Sequence, residues 1–142
     1  MRISRRDFRS AVDAALAGLP PAIRARLTNV VVDWEDWPGP GDLSASAHDG
    51  MLLGQYTPSA VLPDGPSYGF CPPGRIKVFR RPLERLCRSR AELELEIAAT
   101  VVHEVAHHFA FSEADLDPFE ERVARRRAEL EAARTAADKD DS

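Results

Sequence analysis

The stretch "TVVHEVAHHFAFSE", residues 100–113, puts three of the chain's four histidines and a glutamate within six residues of an otherwise apolar run. Upstream, "IAATVV" at 97–102 leads into Val105, Ala106 and Phe109, apolar on nearly every side. A helix apolar all round is a buried helix. Ser89-Arg-Ala-Glu92 has capping-box spacing and predicts a helix from Arg90 to about Ala110. Its first half is amphipathic, with Glu92, Glu94 and Glu96 on the outside.

Within that helix His103 and His107 stand at i and i+4, so both project from one face. Two imidazoles so placed reach one zinc ion at Zn–N bonds of about 2.0–2.1 Å. Glu104 is rotated by about 100° from His103, beside the metal without ligating it. That is where H-E-x-x-H places the general base for a water whose pKa the metal lowers. On this chain's composition a chance H-E-x-x-H is roughly a one-in-a-hundred event. The plainer alternative, core histidines satisfied by hydrogen bonds, needs partners for three buried polar groups, each costing about 1–3 kcal/mol if unsatisfied. His108 points away from the metal direction and is expected to be structural or to support the ligands.

A tetrahedral catalytic site takes three protein ligands and a water. Cysteine is excluded by number and position, since the chain has only Cys71 and Cys87. The frame H-E-x-x-H-x-x-G-x-x-H puts its third ligand ten residues after the first histidine, which here is Glu113. Asp115 is the alternative, and a carboxylate farther along the last helix a further one. Ala110 stands where the frame has a turn-forming glycine, and no methionine follows the motif.

The rest of the chain supplies a scaffold. Ser4–Asp7 has capping-box spacing ahead of Phe8, Val12, Ala15, Leu16 and Leu19, a helix stopped by Pro20–Pro21. A short helix at Ala22–Leu27 and strands at Val30–Trp34, Met51–Tyr56 and Arg75–Arg80 follow, with a brief strand at Ala60–Leu62 between loops. A turn of helix is expected at Pro82–Cys87. The last helix is expected from Pro118, capped by Asp117 with Glu120 completing the box. These elements predict an α+β fold, a small mixed sheet packed on helices with the H-E-x-x-H helix buried. Residues 1–117 form the functional domain in this reading, and 118–142 a terminal helix with a frayed acidic tail.

With 142 residues and a net charge of −4, the chain has the size of one domain and little affinity expected for nucleic acid or anionic membrane. "MRISRRDFRS" is followed by no apolar leader segment, so a cytoplasmic location is the default expectation.

The segments "FRSAVDAALAGLP", "NVVVDWED", "LLGQY", "RIKVFRRPLE" and "TVVHEVAHHF", in that order, resemble the small bacterial zincin-like metallopeptidases. The resemblance covers about residues 7–117, and "HEVAHHF" joined to "RIKVFRRP" is its most specific part. It implies a minimal zincin-like fold and a zinc peptidase acting on a peptide or protein substrate. His103 and His107 match the metal ligands and Glu104 the catalytic glutamate. The family usually has Gly at the position of Ala110 and Asp at that of Glu113. It also implies that a peptide binds as an added strand along a sheet edge, which "RIKVFR" or "LLGQY" could supply. Arg80 or Arg81 could then face the cleft.

Two other classes compete. One is a non-catalytic metal-binding or interaction domain with a degenerate site. The other is a metal-dependent hydrolase such as a ribonuclease, which the acidic charge balance and the lack of a basic–aromatic patch disfavour.

Overall fold

The computed structural model describes residues 1–39, 52–57, 74–109 and 111–140. His48, Cys71, Ala110 and the strand expected at Ala60–Leu62 lie outside them. Helix α1 (Arg5–Ala17) starts on Ser4, whose hydroxyl accepts from the Asp7 N–H. Of the stripe that the spacing predicts, Phe8, Val12, Ala15 and Leu19 are buried and Leu16 is half-buried, and Ala11 is buried with them. Helix α2 (Pro21–Arg26) begins on a proline that needs no N–H there, and a 3-10 turn at Leu27–Asn29 leads to strand β1 (Val30–Glu35).

Strands β2 (Gly54–Thr57) and β3 (Gly74–Phe79) complete a mixed sheet of order β1–β3–β2. β3 pairs parallel with β1 and antiparallel with β2. "RIKVFR" is therefore the central strand and not an edge, whereas "LLGQY" supplies edge strand β2. On β3, Gly74, Ile76 and Val78 are buried while Arg75 is exposed and Lys77 half-buried. One face of the sheet thus packs on helices.

Helix α3 (Arg80–Leu86) starts two residues earlier than expected. Arg80 is 5% exposed, donating from Nε to Asp36 at 2.8 Å and from Nη1 to the Ile3 carbonyl at 2.7 Å. The Arg80 and Arg5 guanidiniums beside it hold the Asp36 carboxyl down at about 2. Arg81 pairs with Glu84 at 2.9 Å. Both arginines brace α3, and neither lines the cleft described below.

Helix α4 (Arg90–His108) begins on Ser89, whose hydroxyl accepts from the Glu92 N–H as the spacing predicts. Leu93, Ile97, Val101 and Val105 are fully buried and join Phe8, Ile76 and Val78 in one core. Cys87 lies in the same core, where burial pushes its thiol up to about 12, so it is an inert thiol.

Helix α5 runs from Glu113 to Asp140, so Pro118 is inside it and Asp117 is not its cap. The cap is Ser112: its Oγ accepts from the Asp115 N–H, and the Asp115 carboxylate accepts from the Ser112 N–H, each at 3.2 Å. This reciprocal box satisfies two orphan donors and starts the helix five residues before the start expected at Pro118. No helix among the described residues is long and apolar enough to cross a membrane.

Candidate metal centre and active site

With the Leu93–Ile97–Val101–Val105 stripe turned into the core, α4 has to present His103 and His107 on its outer side, and both are exposed. The helix is therefore buried on one face and open on the histidine face, where Ala99 and Ala106 are too small to fill the space. The cost of burying unpaired polar groups does not apply to these two histidines. It applies to Glu104, which is 7% exposed and has a partner.

His103 and His107 line a cavity of about 500 Å³ between α4 and α5, and Glu113 and Glu120 line it from the α5 side. Glu113 and Glu120 are seven residues apart, which on a helix is one face two turns on. Asp115 spends its carboxylate on the Ser112 cap and is not in the cavity wall. Glu120 was legible in the sequence only through its spacing from Glu113, and only once both are known to share a helix.

A second cavity of about 500 Å³ lies between α4 and β2, bordered by Gly54, Thr100, His103 and Glu104, with Glu96 and Arg127 at its far wall. His103 borders both the histidine cavity and the Glu104 cavity, together with Ala99 and Arg127. The Tyr56 backbone N–H donates to Glu104 Oε2 at 3.2 Å. His108 Nε2 lies 3.6 Å from the same oxygen, within ion-pair range but longer than a hydrogen bond. The His108 ring stacks on Tyr56 with centroids 4.5 Å apart and meets His107 edge-on at 4.9 Å. No sequence signal pointed to Tyr56, because its contribution is a backbone donor.

Two imidazoles and a carboxylate are the donor types that zinc takes in catalytic sites. The cavity brings His103, His107 and Glu113 to one wall system. Among the described residues, however, no three His, Cys, Asp or Glu side chains are gathered closely enough to hold a metal ion. The donor chemistry fits.

A family described as zincin-like metallopeptidase matches residues 27–131. No curated protein matches the chain. A solved structure, that of a conserved hypothetical protein from T. thermophilus, is 22% identical, with 75% of this chain and 94% of the other covered and a TM-score of 0.46.

Proposed function

The chain belongs to the zincin-like metallopeptidase family, and from that premise we propose that it is a zinc-dependent peptidase with Glu104 as general base. The observation that carries the proposal is the position of His103, on the boundary between the cavity shared with His107 and Glu113 and the cavity holding Glu104. His103, His107 and Glu113 would hold the ion. When bound, zinc polarises a carbonyl and makes a water a nucleophile at neutral pH. Glu104 takes the proton of the attacking water on its carboxylate and returns it to the leaving nitrogen. The cleft beside β2 accommodates extended peptide, whose backbone edge strand β2 can recognise.

A non-catalytic metal-binding or interaction domain is the second reading. The exposure of both histidines, with the candidate carboxylates across the cavity on a separate helix, favours it. One experiment separates the two: digestion of a broad peptide library by wild type and Glu104→Gln, with and without chelator. The peptidase reading expects chelator-sensitive cleavage that falls by about 100-fold or more in the variant while zinc stays bound. Glu104→Gln activity within about threefold of wild type contradicts a base that contributes the usual orders of magnitude.

A further inference from the structure

Glu104 is held by more than its own helix. β2 passes so close to α4 that a Cβ at Gly54 would lie 2.5 Å from the Thr100 methyl and 3.0 Å from the Lys77 carbonyl oxygen. Glycine is needed here for close approach. That approach delivers the Tyr56 N–H to Glu104 Oε2. Gly54 and Tyr56 share a strand face, so the Tyr56 side chain also turns toward α4, where His108 stacks on it beside the same oxygen. The Gln55 and Thr57 positions of β2 pair with β3 at Lys77 and Arg75. The base is thus tied through Tyr56 to the central strand of the sheet.

We propose that edge strand β2 is the positioning device for Glu104, with Gly54, the Tyr56 N–H and His108 setting where its carboxylate sits. A glutamate on a helix has three side-chain torsions to restrict, and one backbone hydrogen bond from a sheet restricts them without using a side chain. The same strand borders the cleft beside Glu104, so strand and base move as one unit relative to a bound peptide. The inference rests on the peptidase reading for the role of Glu104 as base, and on the Tyr56 hydrogen bond and the Gly54 approach for the rest.

The test is Gly54→Ala, alone and combined with Thr100→Ser, which removes the methyl in the way and keeps the hydroxyl that donates to the Glu96 carbonyl. The Tyr56 amide proton is followed by NMR as a readout independent of turnover. Gly54→Ala should shift that resonance upfield, leave zinc affinity unchanged, and lower kcat by about 100-fold, the usual cost of misplacing a catalytic group by an ångström. Thr100→Ser added to it should move the resonance part of the way back and recover part of the lost kcat, since the 2.5 Å contact is relieved while that with the Lys77 carbonyl remains. Should Gly54→Ala fail to fold, His108→Phe keeps a ring on Tyr56 and removes Nε2. It should move the same resonance and lower kcat without touching zinc affinity. An unmoved Tyr56 amide in either variant overturns the proposal. A loss confined to KM, or no recovery in the double variant, does so as well. A wild type that cleaves no peptide removes the base to be positioned and overturns it for a different reason, recognisable because the amide still responds.

Discussion

At one end of the seam between α4 and α5, Arg127 forks onto Glu96 with hydrogen bonds of 2.7 and 3.0 Å, and Arg134 pairs with Glu92 one turn on. At the other end, Glu113 and Glu120 face His103 and His107 across a cavity of about 500 Å³. Both ends use one stripe of α5, in which Glu113, Leu116, Glu120, Val123, Arg127, Leu130 and Arg134 recur by threes and fours. Aliphatic residues alternate with charged ones along it, and the charge changes sign halfway. Arginine on carboxylate closes the gap with its own donors. At the other end the carboxylates and imidazoles stand on opposite walls of the cavity. Spacing decides which residues meet, and the donors and acceptors they carry decide which of them pair directly.

That contrast breaks most visibly through His103. Zinc at 100 times its dissociation constant should stabilise wild type by about 2.7 kcal/mol, and chelator should remove that gain. His103→Ala should show no chelator response at all in thermal melts. A wild-type melting temperature indifferent to chelator would mean that the open end is not a metal site. The contrast sharpens through the two glutamates. Glu113→Ala should weaken zinc binding by more than tenfold, since even supporting residues commonly cost about 10–100-fold. Glu120→Ala should cost less, and calorimetric titration ranks them. Zinc released only by Glu120→Ala would move the third ligand two turns along α5. The smallest effect belongs to the closed end. Arg127→Ala should cost about 1 kcal/mol or less, because Arg127 is half exposed. The difference in stability should shrink in 1 M salt, where the Debye length falls to about 3 Å.

The α1 stripe, the Ser4 and Ser89 caps and the α4 helix follow from periodicity and local hydrogen bonding, and they stand where the spacing places them. The start of α5 did not follow. Two capping boxes compete within nine residues, and the proline at 118 favours the wrong one on local grounds. The order of the strands was equally hidden. "RIKVFR" alternates like a half-exposed strand, which a one-sided central strand also does. Arg80 reads as a surface cation until Asp36 and Ile3 are brought to it from more than forty residues away.

By itself the sequence determined that His103, Glu104 and His107 share a helix and in what angular order, because a helix of 3.6 residues per turn leaves no freedom in it. It determined equally that Glu104 stands apart from the two histidines around the helix axis. Only the tertiary structure decided which side of α4 meets the core, and therefore that the histidines open on α5 while Glu104 turns to Tyr56. Those choices depend on which apolar stripe finds the sheet and how closely β2 can approach it, and both are properties of contacts between segments far apart in the chain.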